Sequence, residues 1–165
     1  MKERLYIAYG SNLNLSQMSR RCPTAEVVGA SEVKDYELLF RGGSRGAVAT
    51  IEPLKGSLVP VLVWSIKGLD EQSLDRYEGW PNFYGKEMME IELNRKPVSA
   101  MVYVMNPGYE FGVPSDFYLN TIAEGYASAG FDTDILDQAV EKSMSLAREQ
   151  EQNEPRQRSF FDWKW

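Results

Sequence analysis

Two short segments carry residue types that could do chemistry without a metal. The first is Tyr9-Gly10-Ser11-Asn12-Leu13, which follows the β-prone run Leu5-Tyr6-Ile7-Ala8-Tyr9 and precedes a helix start. A strand, a glycine-containing turn and a capped helix gather several backbone N–H groups at a positive helix end. That arrangement favours an anion without needing Lys or Arg. Gly10 permits φ values that other residues avoid and lets a ligand approach the backbone, while Ser11 and Asn12 add side-chain donors. A purely structural turn also fits this spacing. The second segment ends in Glu78. Leu74 lies four residues earlier on the same helix face, so an apolar neighbour directs the carboxylate inward. Glu78 is also the last helical residue before Gly79, at the negative pole of the helix, where a cation would be the stabilising choice. A carboxylate so placed has its pKa raised above about 4.3, towards the range of a general base. The alternative is a side chain turned to water, one of 24 acidic residues.

Absences narrow the chemistry further. The chain has no histidine, which excludes Ser-His and Cys-His catalysis as usually built. Its single cysteine, Cys22, permits neither an internal disulfide nor a Cys/His zinc site. Beside Pro23 it reads as a small helix-end hydrophobe. No Asp-rich loop has the spacing of a Ca²⁺ or Mg²⁺ site, so neither metal nor cofactor is expected. At 165 residues and 43% apolar composition the chain is one ordinary domain. A net charge of -6 argues against a general nucleic-acid binder. Arg20-Arg21, an adjacent basic pair, reads as a solvated helix face. No secretory signal and no run of about twenty apolar residues is visible, so a cytoplasmic protein without membrane spans is expected.

The positioning elements follow from periodicity. Asn14 caps the first helix, with Gln17 completing a capping box and Leu13 and Met18 forming a hydrophobic staple. Cys22-Pro23 ends it. Four strands are expected over 25–30, 36–40, 47–51 and 59–66, then a helix over 69–77 stopped by Gly79. Two further strands, 87–93 and 99–105, flank the turn Asn94-Arg95-Lys96-Pro97. Ser115 caps a third helix to about Ser128, and a fourth starts at Asp132 or Thr133. Strands first and helices last predict an α+β fold with a closed or strongly curved sheet. Residues 1–145 form the domain. Residues 146–165 form a charged tail ending in Phe160, Phe161, Trp163 and Trp165, read either as an arm packed on the body or as one docking on a second subunit in a homodimer. Arg41-Gly42-Gly43-Ser44-Arg45-Gly46 reads as an exposed hairpin or an entrance loop.

Together, Tyr9-Gly10-Ser11-Asn12-Leu13 after an N-terminal strand, Leu74-Asp75-Arg76-Tyr77-Glu78-Gly79 in mid-chain, and Tyr84 opening the next strand resemble the γ-glutamylcyclotransferases and their AIG2-like relatives, over residues 4–140. The resemblance implies a small mixed β-barrel flanked by helices. It also implies a reaction in which the α-amine of an L-γ-glutamyl compound attacks its own γ-carbonyl, expelling the attached amine and leaving 5-oxoproline. In that family the glutamate matching Glu78 accepts the proton. The turn matching Tyr9 to Leu13 binds the glutamyl group, and tyrosines matching Tyr84 and Tyr118 lie at the substrate. Tyr118 is equally explained by packing with Ile122 and Tyr126. The implied partner is a small γ-glutamyl molecule. The rival readings are a γ-glutamylamine- or amide-cleaving relative and a non-catalytic anion-binding module. The tail beyond Leu146 has no counterpart in the resemblance, and Trp80-Pro81-Asn82-Phe83 shapes the leaving-group side.

Overall fold

Strand β1 (Arg4–Ala8) runs through the middle of a five-stranded sheet of order β2-β3-β1-β5-β4. Its neighbours are β3 (Val48–Ile66), antiparallel, and β5 (Lys96–Met105), parallel. The outer strands β2 (Glu26–Arg41) and β4 (Tyr84–Leu93) pair antiparallel with β3 and β5. The described residues also form four α-helices: α1 (Leu15–Arg21), α2 (Gly68–Glu78), α3 (Asp116–Ala129) and α4 (Thr133–Trp163). This computed structural model describes residues 3–43 and 45–163, with side chains to residue 153.

The fold is α+β as expected, but the sheet is open rather than a closed barrel. Its edges β2 and β4 share no ladder, though they come close where Ser31 Oγ donates to the Glu92 carbonyl and Gly29 lies against Leu93. The four short strands expected between residues 25 and 66 are two long ones. The charged interruption at Lys34-Asp35-Tyr36 is a bulge, with Asp35 in the left-handed region (φ 62) and its carboxylate accepting from Gly56 N at 2.9 Å. In β3, Pro53 and Pro60 are tolerated because β1 pairs only with Leu62 to Ile66, leaving the earlier part of the strand partnered on one side. Asn94 and Arg95, both at positive φ, make the tight turn from β4 to β5.

Asn14 caps α1, its Oδ1 accepting from Gln17 N at 3.1 Å. The reciprocal half of the expected box is replaced, because Gln17 Oε1 accepts from Arg21 Nη2 at 3.0 Å instead. Leu13 and Met18 are both fully buried, as a staple requires. Ser115 caps α3 through Tyr118 N, and Gly79 ends α2 at φ 68. The core gathers Ile7, Phe40, Ile51, Ile66, Leu74, Met101, Ile122 and Tyr126 between the concave sheet and the helices. No helix among the described residues is long and apolar enough to cross a membrane. Helix α4 continues unbroken across residue 146; the aromatic residues Phe160, Phe161, Trp163 and Trp165 lie outside the described side chains.

Candidate active site

Where β1 ends, the chain does not pass straight into α1. A single 3₁₀ turn, Ser11–Leu13, intervenes, closed by Leu13 N to Gly10 O at 3.0 Å and Asn14 N to Ser11 O at 3.1 Å. The first N–H groups of such a turn have no acceptor within it. Those of Gly10, Ser11 and Asn12 have none elsewhere among the described residues. The donors therefore belong to the 3₁₀ turn rather than to the end of α1. Gly10 has φ -122, so no unusual φ demands glycine here. Space does: a Cβ would meet Ala49 Cβ at 3.2 Å and the Tyr118 hydroxyl at 3.5 Å.

This turn lines a cavity of about 230 Å³ with Tyr6, Tyr9, Tyr77, Glu78, Phe83, Tyr84, Tyr103 and Tyr118. Of the sequence-predicted residues, Tyr9, Gly10, Ser11, Asn12, Glu78, Tyr84 and Tyr118 all reach it. Leu13 does not. Its side chain is fully buried in the core against α3, facing Gly125, so it shapes the turn from behind. Tyr84 and Tyr118 are fixed by one residue of β3: Tyr84 Oη donates to Ala49 O at 2.5 Å, and Ala49 N donates to Tyr118 Oη at 3.0 Å. Tyr9 Oη donates to Tyr103 O at 2.6 Å, and Asn12 Nδ2 donates to Tyr6 Oη at 2.8 Å. Burial pushes the pKa of Tyr6, Tyr9, Tyr84 and Tyr118 upward, and the nearby Glu78 charge adds to it, so all four phenols stay neutral. Tyr6 and Tyr118 each accept a bond there, and their own O–H groups have no acceptor among the described residues.

Among the described residues Glu78 is the one carboxylate lining this cavity. The residue is only partly covered, but its carboxyl sits in poorly solvated surroundings. Burial raises its pKa from 4.5 to about 7, against a smaller downward pull from Arg21. Burial is the largest cause. Leu74 beside it is fully buried, as an inward face requires. Cys22 is a poor rival nucleophile: it is buried, its Sγ faces Asp70 O at 3.6 Å, and burial followed by the Asp70 charge pushes its thiol to about 11.

Sequence reasoning missed four residues around the site. Tyr6, Tyr77 and Tyr103 line it, and Arg21, expected to face water, packs on two lining residues, Tyr77 and Asn12. The Arg21 guanidinium lies 3.4 Å from the centre of the Tyr77 ring, donates from Nη1 to Asn12 Oδ1, and leaves Tyr77 Oη 2.8 Å from Ser11 Oγ. An arginine stacked on an aromatic and bound to an amide is held, not solvated. Arg41, by contrast, is spent on Glu52 (2.5 and 3.2 Å) and Tyr109 O (2.7 Å), and Gly42 N donates to Glu110 O, so this end of the loop is tied down, with Gly42 against the cavity-lining Phe83.

Because Arg21 lowers the proton affinity of Glu78, Arg21→Met should raise it further. Any reaction needing the Glu78 carboxylate then loses rate at neutral pH and regains it at alkaline pH. The rate-against-pH curve of the variant checks this, and an unmoved curve would count against the coupling.

In sum the site offers one carboxylate of raised pKa, three free backbone amides and two free phenol protons around a small cavity. It can hold an anion and move a proton beside it. The family model described as gamma-glutamyl cyclotransferase, AIG2-like, matches residues 6–123. The human protein named gamma-glutamylcyclotransferase is 30% identical over 136 residues, covering 76% of this chain and 71% of that protein. The Bos taurus protein of the same name is 29% identical over 135 residues, with the same coverage. A solved structure titled gamma-glutamyl cyclotransferase superposes with a TM-score of 0.75 at 26% identity, covering 84% of this chain and 86% of that one. The chain thus belongs to the γ-glutamyl cyclotransferase, AIG2-like family.

Proposed function

We propose that the protein cyclises an L-γ-glutamyl compound, releasing 5-oxoproline and the amine that was attached to the γ-carbonyl. The observation that carries this is the pairing, in one cavity, of a carboxylate whose pKa lies near 7 with a turn whose amides are unspent. The α-carboxylate of the substrate meets the N–H groups of Gly10, Ser11 and Asn12. At neutral pH the α-amine is an ammonium and cannot attack, so Glu78 takes one proton from it. The freed nitrogen forms a bond to the γ-carbon, and the carbonyl electron pair moves onto oxygen. The free O–H groups of Tyr6 and Tyr118 are suited to receive that developing charge. Glu78 passes the proton it took to the leaving nitrogen, then takes the second proton from the ring nitrogen as the C=O re-forms and the bond to the leaving nitrogen breaks, and hands it on so that the amine departs as an ammonium. The acid is regenerated as a carboxylate, and no water is consumed.

The attack is intramolecular, so holding the chain folded supplies much of the acceleration. No protein nucleophile is required, which suits a site where Ser11 Oγ is bonded to Tyr77 and Cys22 lies buried elsewhere. The test is to incubate the protein with a panel of γ-glutamyl amino acids and γ-glutamylamines and to quantify 5-oxoproline against released amine. Equal amounts are expected. Free glutamate in place of 5-oxoproline would mean hydrolysis, and binding without either product would mean a non-catalytic module.

A further inference from the structure

Helix α2 carries Glu78 on its last turn, yet it is weakly anchored by apolar contact. Across its eleven residues only Leu74 is a buried hydrophobe, and Leu69 is 68% exposed. Polar contacts must therefore fix where it lies. At its start, Asp70 Oδ2 accepts from Lys67 N at 3.0 Å and from Thr24 Oγ1 at 2.6 Å. Along its middle the contact is Lys86, from β4. Its ammonium sits 2.7 Å from Glu71 Oε2 and 2.8 Å from Asp75 Oδ1, both on α2, and 4.1 Å from the centre of the Trp80 ring. The same Asp75 oxygen accepts the Tyr103 phenol proton at 2.6 Å, and the Tyr103 carbonyl accepts the Tyr9 phenol proton at 2.6 Å. A polar chain thus runs from Asp75 of α2 through Tyr103 of β5 to Tyr9, which opens the anion turn, and Lys86 of β4 joins it at Asp75. Lys86 is 18% exposed and Asp75 21%, so solvent screens this pair less than a surface one.

We propose that Lys86 is a positioning residue for Glu78: it pins α2 against β4 and β5 and so fixes the gap between the Glu78 carboxyl and the amides of Gly10 to Asn12. The proposal rests on the reading of Glu78 as the proton acceptor of this cavity. Two consequences follow if the pin is removed. The reacting groups lose alignment, where a shift of about 1 Å costs on the order of 100-fold in rate. Water also gains access to the carboxyl, whose proton affinity then falls. The groups facing Glu78 are Arg21 from α1, Tyr6 from β1, Tyr9 from the turn, Tyr84 from β4 and Tyr118 from α3; the change touches none of them. Lys86 itself faces Glu71, Asp75, Tyr103 and Trp80.

The experiment compares the full chain with Lys86→Met, Lys86→Arg and a control, Arg4→Met, which removes the half-exposed 3.1 Å pair of Arg4 with Glu71 and a 3.8 Å contact with Met101 Sδ. Each is measured for kcat and KM on a γ-glutamyl substrate, for thermal midpoint, and for the ¹³C titration of the Glu78 carboxyl, assigned by its loss in Glu78→Gln. In Lys86→Met, kcat is expected to fall on the order of 10- to 100-fold with a smaller change in KM. The Glu78 midpoint moves down from about 7. Lys86→Arg restores most of both, and Arg4→Met moves neither. A Lys86→Met protein that melts lower but keeps the wild-type kcat and Glu78 midpoint would overturn the proposal, leaving Lys86 a merely structural ion pair. Should Lys86→Met fail to fold, Asp75→Asn carries the same test by the same two criteria. Absence of 5-oxoproline from the wild type would remove the reaction, while the carboxyl titration, which needs no substrate, still decides the role of Lys86.

Discussion

Glu78→Gln should leave a folded protein that binds a γ-glutamyl substrate but turns it over on the order of 100 to 10,000 times more slowly, the range of a lost general base. Glutamine keeps the shape and the hydrogen-bonding reach of the side chain and removes only its capacity to take a proton. Calorimetry should therefore find ligand affinity largely kept, while single-turnover 5-oxoproline formation collapses. Undiminished turnover would remove Glu78 from the mechanism. The substitution has a second, opposite consequence. A carboxyl whose folded pKa is raised from 4.5 to about 7 favours the folded state while protonated, and that stability is lost as pH rises through the folded pKa. The burial of a charge then opposes folding at alkaline pH, and Gln carries no such charge. The variant should match the wild type in thermal midpoint below pH 4.5 and exceed it above pH 7. A group that hinders folding at the pH where it works is one expected of a functional site.

The second large effect concerns a residue that never touches the cavity. Gly125 sits on α3 behind the turn, and a Cβ there would lie 2.6 Å from Leu13 Cβ, 2.8 Å from Leu13 C and 2.9 Å from Leu13 O. Two of those three atoms are backbone, so no rotamer change relieves the clash. Gly125→Ala gains about 1 kcal/mol of helix propensity. Overpacking of about 1–3 kcal/mol, occasionally more, works against that gain. A net loss near the upper part of that range is expected in urea unfolding, because the opposing surface is main chain. The loss of activity should be greater than the loss of stability implies, since the displaced segment is the turn that supplies the amides. A variant as stable and as active as the wild type would show that α3 and the turn can part without consequence. Asn14 argues that they cannot, because its Nδ2 also ties the turn to Thr121 O at 3.0 Å and to Glu124 Oε2 at 2.9 Å.

What could be read from the sequence was local. The strand–turn–helix at residues 5 to 22 is legible because its cap, staple and proline stop act within a few residues of one another. The inward direction of Glu78 is legible for the same reason, from Leu74 four positions back and Gly79 one position on. What failed to show was long-range. Tyr103 faces the cavity because β5 runs parallel to β1, with Tyr6 beside Met101, a register no local pattern encodes. Arg21 looked solvated because its ring partner, Tyr77, lies on another helix. Lys34 to Tyr36 looked like a strand break because a charged bulge and a turn share the same residues. Whether the sheet closes depends on how two edges far apart in sequence meet, and here they share no ladder, with Ser31 Oγ donating across to the Glu92 carbonyl. Leu13 belongs to the motif by position, but its side chain serves the core.

The most direct measurement is the pH dependence of kcat/KM for 5-oxoproline release by the wild type, which reports ionisations of the free enzyme. An ascending limb with its midpoint near 7, absent from the residual activity of Glu78→Gln, is the expected result. A limb centred near 4.5, the value of a water-exposed glutamate, would mean that the carboxyl is well solvated and that proton transfer in this cavity rests on some other group.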